Sequence, residues 1–212
     1  MNLPLHELRR ALQTVPPRRR EPVPGLQHSA VLAILFEADV SGRRETQAVF
    51  IMKTSDGSRH GGQIAFPGGR LEPHDRSLLA TALRETHEEI GVAPAELEVL
   101  GTLGHFSTMT TGFDVAVYVA RPLTPLRYAP QHHEVAAIFE VPMRLLFEQF
   151  DPGLEIRSRE DFLKLHYHVA VAPHLKFHHD NWPQARRTIC IWGFTARVLH
   201  HFMGLIRREL RV

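Results

Sequence analysis

The sequence has very little cysteine and no long apolar run. Cys190 is the single cysteine, so neither an internal disulfide nor a cysteine-based zinc site can form. Its position between two isoleucines predicts a small, buried hydrophobic residue. No apolar run approaches the ~20 residues that a membrane-crossing helix needs, and residues 1–25 lack the apolar stretch of a signal peptide. We therefore expect a soluble, cytoplasmic protein without a membrane partner.

The sequence also has little net charge, only +2. Its basic residues are nevertheless concentrated near the start, at Arg9, Arg10, Arg18, Arg19 and Arg20. These arginines could hold a polyanion or steer an anionic substrate. The four prolines among residues 16–24 oppose regular structure and few apolar residues interleave, which favours a solvated, partly disordered arm. We expect no nucleic-acid site there.

The length and the apolar content suit one elaborated domain. With 212 residues, of which 43% are hydrophobic, the chain can bury a full core. We predict a basic, Pro/Arg-rich extension over residues 1–25 and a single domain over residues 26–212. Apolar segments predict strands over residues 29–36, 47–53, 97–103, 113–120, 135–141, 162–171 and 188–191. Helical patterns occur at residues 3–12, 143–150 and 195–210.

The stretch from Phe66 to Val92 combines a glycine turn, a helix and an acidic cluster. At the helical period, one face of the helix collects Leu78, Leu79, Ala82, Leu83, Thr86 and Ile90. Asp75 or Ser77 can cap the start of this helix, and Gly91 can end it. The periodicity and the caps together predict an amphipathic helix that begins near Leu78.

Three glutamates, Glu85, Glu88 and Glu89, lie along the edge of the apolar face. Their spacing brings carboxylates of like charge within reach of one ion. Mg²⁺ prefers a few carboxylates and completes its shell with water and phosphate oxygens, and Mn²⁺ accepts the same ligands. The turn at Pro67-Gly68-Gly69 lets bare backbone approach, so the Gly69 carbonyl is a further candidate ligand. A lone acidic pair would favour an ordinary solvated face.

The surrounding pattern favours the metal site. The run from Gly69 through Arg84-Glu85-Thr86-His87-Glu88-Glu89-Ile90-Gly91-Val92 resembles the Nudix box of the Nudix hydrolases. Three departures occur: one extra residue between Gly69 and Arg84, Asp75 in the region of the mid-box glutamate, and Thr86 in place of an aliphatic residue.

The resemblance implies a fold, a cofactor and residue roles. The fold would be α/β, a Nudix-type α/β/α sandwich with a mixed β-sheet and a loop-helix-loop metal site. Mg²⁺ or Mn²⁺ would be bound by Gly69, Glu85, Glu88 and Glu89. Arg84 would position the carboxylates. By family analogy the general base is a box glutamate or a loop acid, with Glu134 as the loop candidate, and these alternatives stay open.

A wider likeness links the chain to the coenzyme A pyrophosphatase subfamily. The residues before the box, from Ile51 to Gly69, resemble the leader of that subfamily, including His60, Gly62 and Gln63. Lys53 stands where the subfamily has arginine, and Arg59 lies one place later than its counterpart. The loop Thr111-Gly112-Phe113 and the segment Ile191-Trp192-Gly193-Phe194-Thr195-Ala196 are also similar to subfamily features.

This likeness implies a nucleotide substrate, coenzyme A or a derivative, cleaved to 3′,5′-ADP and 4′-phosphopantetheine. The predicted substrate-binding residues are Lys53, Arg59, His60 and Gln63. A nucleotide sugar or a dinucleotide is the alternative substrate, and a non-catalytic Nudix-like binding module is the alternative function. A homodimer stays open, and nucleic acid is not an expected partner.

Other aromatic and histidine residues carry weaker expectations. Phe106, Phe113, Phe139 and Trp192 could stack on an adenine, although such residues beside strands are more often core. The fifteen histidines are interpreted as ordinary surface or packed residues rather than as a transition-metal site.

Overall fold

A computed structural model describes residues 1–19, 21–40, 42–54, 61–108, 111–156, 158–172, 174–178 and 187–210. The helices are α1 (Leu5–Thr14), α2 (Leu78–Ile90), α3 (Met143–Phe147), α4 (Arg159–Lys164) and α5 (Gly193–Leu210). The strands are β1 (Gln27–Val40), β2 (Arg43–Lys53), β3 (Ile64–Ala65), β4 (Gly68–Arg70), β5 (Leu97–Ser107), β6 (Phe113–Pro122), β7 (Val135–Pro142), β8 (His166–Ala170), β9 (Leu175–His178) and β10 (Thr188–Trp192).

The chain divides into two compact units. Unit 1 contains Met1–Leu3, Glu37–Ala65 and His132–Val212, and unit 2 contains Pro4–Phe36 and Phe66–Gln131. Strand β1 begins in unit 2, and its residues 37–40 belong to unit 1. The predicted metal ligands therefore lie in unit 2.

Unit 2 is built on a mixed sheet. Strand β6 pairs antiparallel with β5 and parallel with β1, and the short β4 pairs antiparallel with β1. The central apolar residues of the two strands, residues 32–35 of β1 and 115–117 of β6, are almost fully buried, which explains their nearly continuous apolar sequences. The mixed α/β class predicted from the sequence is confirmed.

Unit 1 contains two antiparallel groups of strands. Strand β2 pairs with β3 and β7, and β7 also pairs with β9, while β8 and β10 form a separate two-stranded sheet. Residues 45–52 of β2 are buried in succession, as expected for a strand covered on both faces. Helix α5 is amphipathic and buries residues such as Val198, Phe202 and Ile206.

The predicted strand over residues 162–171 is wrong in its first part. Helix α4 occupies Arg159–Lys164, and the strand begins only at His166. The reason is a reciprocal cap: Ser158 Oγ accepts a hydrogen bond from the Asp161 amide at 3.1 Å, and the Asp161 carboxylate accepts one from the Ser158 amide at 3.0 Å.

Three further differences concern unit 1. The predicted helix over residues 143–150 stops at Phe147, and the Gln149 side chain instead pairs with the backbone of His168 at 2.8 and 3.1 Å. Strand β9 was not predicted. Cys190 is half-buried rather than fully buried.

Within the part of the chain that the structure describes, no helix combines the length and the apolarity that crossing a membrane requires.

Candidate active site

Helix α2 has the boundaries that its sequence predicts. Of the two candidate caps, Ser77 is the one used, since its Oγ accepts a hydrogen bond from the Ala80 amide at 3.1 Å. At the other end Gly91 is left-handed, with φ 78°, and its amide binds the His87 carbonyl. Thr86, which replaces an aliphatic residue, is fully buried and donates to the Ala82 carbonyl at 2.7 Å. The hydroxyl is thus satisfied within the helix.

The glycines before α2 form a strand where the sequence predicts a turn. Gly68 pairs with Val31 and Gly69 with Ala30 in the β1–β4 ladder. At Gly68, where φ is 149°, a Cβ would lie 2.3 Å from the Ala30 carbonyl oxygen. At Gly69, a Cβ would lie 2.2 Å from the Glu85 carboxyl group. Only glycine allows backbone to come this close to both β1 and α2.

The three box glutamates have different surroundings. Glu89 is fully buried, and one of its carboxylate oxygens accepts a hydrogen bond from the Gly68 amide at 2.8 Å. Glu85 is mostly buried and offers a carboxylate oxygen within 4.8 Å of one from Glu89. Glu88 is 53% exposed and pairs with Arg84 at 2.7 Å. The structure therefore brings Glu85 and Glu89 together, and it turns Glu88 outward.

Arg84 connects the acids of this region. Its Nε and Nη2 atoms donate to the two oxygens of Asp75, each at 2.9 Å, and its Nη1 atom donates to Glu85 at 3.1 Å. The hydrogen bonds from Arg84 hold the pKa of the Asp75 carboxyl well below its usual range. Conversely, the hydrogen bond to Asp75 raises the pKa of Arg84. Arg84 is therefore a fixed cation that holds Glu85 and Glu88 in place.

Asp75 is the site residue whose role the sequence did not reveal. It was a candidate helix cap, but its carboxylate accepts hydrogen bonds from Arg84, the Thr81 hydroxyl at 3.0 Å and the Glu72 amide at 2.9 Å. Its place in the region of the mid-box glutamate was the available signal. The extra loop residue and the shorter side chain obscured that signal, because both change where the carboxylate can reach.

Three of the other predicted residues lie close together in unit 1. The Lys53 amide binds the Gln63 carbonyl at 3.1 Å. Thr54, the next residue, donates its amide to the Glu134 carbonyl at 3.0 Å. Glu134 is exposed and immediately precedes β7, whose first residue, Val135, is opposite Lys53. The backbone thus brings Lys53, Gln63 and Glu134 to one end of β2. Arg59 and His60 lie outside the described residues.

The candidate stacking aromatics have separate environments. Phe106 and Phe139 are buried in the core, 1% and 0% exposed. Trp192 is 45% exposed. Phe113 is half-buried at the start of β6, and the guanidinium of Arg70 lies 4.9 Å from the centre of its ring. The interpretation as core residues is therefore correct for Phe106 and Phe139.

Comparison with known proteins agrees with this geometry. The NUDIX domain family model matches residues 26–162. The chain belongs to the Nudix hydrolase family. A relative named "Uncharacterized Nudix hydrolase NudL", from Enterobacter sp. (strain 638), is 31% identical over 203 residues, which are 93% of this chain and 92% of the relative. The protein of the same name from Cronobacter sakazakii is 34% identical and covers 66% of this chain and 65% of its own.

A solved structure shows the same fold. The MutT/nudix family protein from Enterococcus faecalis superposes with a TM-score of 0.51 over 97% of this chain and 73% of its own, at 15% identity. The α/β fold with a mixed sheet that the Nudix resemblance implied is therefore confirmed.

Nudix hydrolases generally use divalent metal ions, and the residues of unit 2 fit such an ion. The two neighbouring carboxylates of Glu85 and Glu89 are hard oxygen donors of the kind that Mg²⁺ and Mn²⁺ prefer. The Glu85 carboxyl group lies against the backbone of Gly69, in a space that any side chain at residue 69 would fill. Membership of the family and this donor set agree with each other.

Proposed function

We propose that this Nudix hydrolase cleaves a pyrophosphate linkage in a nucleoside derivative, with Mg²⁺ or Mn²⁺ bound by Glu85, Glu88, Glu89 and the Gly69 carbonyl. The observation that carries the proposal is the pair of carboxylates from Glu85 and Glu89, within 4.8 Å of each other and beside the side-chain-free backbone of Gly69. When bound there, a divalent cation supplies charge neutralisation for the diphosphate and a more acidic water.

The residues of the chain have complementary roles in this proposal. Arg84 holds Glu85 and Glu88 through hydrogen bonds of 3.1 and 2.7 Å, so the Glu85 carboxylate is already fixed beside Gly69 before the substrate binds. Glu89 is fixed by its hydrogen bond to the Gly68 amide. The general base that removes a proton from the attacking water is a box glutamate or Glu134. Glu134 is exposed and forms no salt bridge with any of the described residues.

Coenzyme A or a close derivative is the proposed substrate. Support comes from the sequence likeness to the coenzyme A pyrophosphatases, and from the backbone hydrogen bonds that hold Lys53 beside Gln63. The proposed products are 3′,5′-ADP and 4′-phosphopantetheine. Arg59 and His60 complete the proposed substrate-binding set on the basis of sequence alone.

The experiment is a substrate panel with the products identified by mass. Coenzyme A, acyl-CoA, ADP-ribose, nucleotide sugars and diadenosine polyphosphates are each incubated with Mg²⁺, with Mn²⁺ and with a chelator. We expect cleavage of coenzyme A within the pyrophosphate, and loss of turnover in the chelator. If another compound is preferred, the proposed hydrolase activity stands and the proposed substrate is wrong. Tight binding without turnover would favour a binding module.

The metal ligands are tested by Glu85→Gln and Glu89→Gln. Mutating a residue that hydrogen-bonds to a metal ligand typically lowers metal affinity or activity roughly 10- to 100-fold. Replacing the ligand itself should therefore reduce turnover by roughly 100-fold or more. Glu7→Gln, at a half-buried glutamate on α1, is the matched control and should retain full turnover. Circular dichroism checks that each variant is folded. Near-normal turnover in both ligand variants would contradict the metal site.

A further inference from the structure

Arg70 follows Gly69 directly, and its backbone is fixed by strand pairing with β1 and by a hydrogen bond from Arg84. It is the last residue of β4, where it pairs with Ser29 of β1. Its carbonyl oxygen accepts a hydrogen bond from Arg84 Nη2 at 3.1 Å. The Arg70 side chain therefore leaves the chain one residue beyond the backbone that lies against the Glu85 carboxylate.

The Arg70 guanidinium rests on a fixed aromatic surface. Its central carbon lies 4.9 Å from the centre of the Phe113 ring. Phe113 is itself held by Thr108, since the Phe113 amide donates to Thr108 Oγ1 at 2.9 Å and the Thr108 amide donates to the Phe113 carbonyl at 2.7 Å. A guanidinium over a ring keeps its N–H donors at the rim, where they can bind another group.

Arg70 has no carboxylate partner among the described residues, although acids surround the site. The arginine that pairs with these acids is Arg84, whose nitrogen atoms lie 2.7 to 3.9 Å from carboxylate oxygens of Glu72, Asp75, Glu85 and Glu88. Arg70 is exposed, and among the residues that the structure describes its side chain contacts the ring of Phe113. Its donors are thus available for a ligand, and its charge is not used to balance the acids.

We propose that Arg70 binds phosphate oxygens of the substrate and that Phe113 positions it for this contact. The inference rests on the proposed pyrophosphate hydrolysis and adds a substrate-binding residue to it. The planar guanidinium can donate two parallel hydrogen bonds to a phosphate, which a lysine cannot do. Stacking on Phe113 also limits the freedom of a long side chain, so less entropy is lost on binding.

The test is the binding of magnesium pyrophosphate, measured by calorimetry without any turnover. A hydrogen-bonded contact between charged groups corresponds to roughly 10- to 100-fold in affinity, so Arg70→Ala should weaken binding by about that factor. Arg70→Lys should recover only part of the loss. Arg76→Ala removes the same charge from an exposed residue six places along the chain, and it should bind like the wild type.

Adenosine, which has no phosphate, separates phosphate binding from stacking on a base. Arg70→Ala should leave adenosine binding unchanged. Loss of adenosine binding with unchanged pyrophosphate binding would overturn the inference, because Arg70 would then contact the base. Equal pyrophosphate affinity of wild type and Arg70→Ala would overturn it as well. Both results leave the proposed hydrolysis intact, whereas a wild type that neither binds pyrophosphate nor hydrolyses any panel compound contradicts both proposals.

Phe113 is tested through the substrate that the panel identifies. Phe113→Leu keeps an apolar side chain but removes the ring face, so KM should rise roughly tenfold while kcat changes little. Phe113→Tyr retains the ring face and should restore KM. Equal KM values for Phe113→Leu and Phe113→Tyr would show that the ring does not position Arg70.

Discussion

At the residue scale, Asp75 and Arg84 illustrate how a charge pair prepares the acidic site. Asp75 is 3% exposed and receives two parallel hydrogen bonds from the Arg84 guanidinium. The Nη1 atom of Arg84 donates hydrogen bonds to both Glu85 and Glu88. A cation so fixed reduces the repulsion between carboxylates that lie within one helical turn. Asp75 is therefore a positioning residue for Arg84.

Asp75→Asn should destabilise the protein by roughly 1.5–3 kcal/mol at neutral pH, because hydrogen bonds to charged groups are lost. The Asp75 pKa is depressed in the folded state, so its contribution is complete above its unfolded value of about 3.9 and is lost as the pH falls below that value. Denaturant unfolding at several pH values should show the wild type and the variant converging below pH ~4. A constant difference down to pH ~2 would contradict this assignment.

Glu134 is a single-residue test of the general base. If it removes the proton from water, Glu134→Gln should lower kcat by roughly 100- to 10,000-fold and change KM little. Glu140→Gln, six residues later in unit 1, is a comparison for the loss of a negative charge at a residue that pairs with Lys176 instead. An unchanged kcat for Glu134→Gln would assign the base to a box glutamate.

At the scale of elements, β4 shows that two adjacent glycines serve different purposes. The Gly68 position is confined by the backbone of β1, whereas the Gly69 position is confined by a side chain, that of Glu85. A side chain can rotate away from a new methyl group, but backbone in a sheet cannot do so without breaking its pairing. Fold and site thus depend on neighbouring residues of one short strand.

Gly68→Ala and Gly69→Ala should therefore fail in different ways. Gly68→Ala should lose several kcal/mol of stability, since the strained φ alone costs about 1–3 kcal/mol and the clash with Ala30 adds to it. Gly69→Ala should unfold near the wild-type denaturant concentration but lose most of its turnover, because Glu85 is displaced. Denaturant unfolding and turnover measured together separate the two effects. Loss of stability in Gly69→Ala with retained turnover would contradict this distinction.

Strand β5 gains an unexpected neighbour from the basic segment. The Arg18 amide binds the Leu103 carbonyl at 3.1 Å, and the His105 amide binds the Arg19 carbonyl at 3.0 Å. The Arg19 side chain pairs with Asp114, which is fully buried and also bonds His105 Nδ1 at 2.7 Å. The expectation of a disordered segment is therefore wrong for the backbone of Arg18 and Arg19, and the expectation of a solvated side chain is wrong for Arg19.

Arg19→Ala should destabilise the protein by about 3 kcal/mol, because it leaves the buried Asp114 carboxylate without its arginine. Burial, and next the charge of Arg19, lower the pKa of His105. A lowered folded-state pKa means that the wild type loses stability as the pH falls below about 6.5. Without Arg19 the His105 pKa should rise, so protonated His105 can pair with Asp114. The destabilisation should then be smaller at acidic pH, and an NMR titration of His105 that does not shift would contradict this.

For the protein as a whole, the preference between coenzyme A and 3′-dephospho-CoA tests the proposed substrate. Coenzyme A carries a 3′-phosphate with roughly 1.5–2 negative charges, which 3′-dephospho-CoA lacks. If Lys53 binds that group, kcat/KM should be about tenfold or more higher for coenzyme A. Lys53→Ala should narrow the gap and Lys53→Arg should widen it, because arginine can donate two parallel hydrogen bonds. Equal efficiency of the wild type on both compounds would remove the coenzyme A assignment.

Features with local causes were predictable from the amino-acid sequence. Helix α2 begins after Ser77 and ends before Gly91, because the cap and the left-handed glycine act within a few residues. The box pattern identified the Nudix family, and the spacing of four residues between Glu85 and Glu89 was sufficient to predict their proximity.

Features that depend on segments far apart along the chain were visible only in the folded protein. The sequence placed Glu88 and Glu89 on the same helix edge, yet Glu89 is buried against the Gly68 amide and Glu88 faces solvent. Arg19 finds Asp114 at a separation of 95 residues, and the extended form of Gly68 depends on β1. Such contacts follow from packing and hydrogen bonding between distant residues, for which local periodicity and spacing contain no signal.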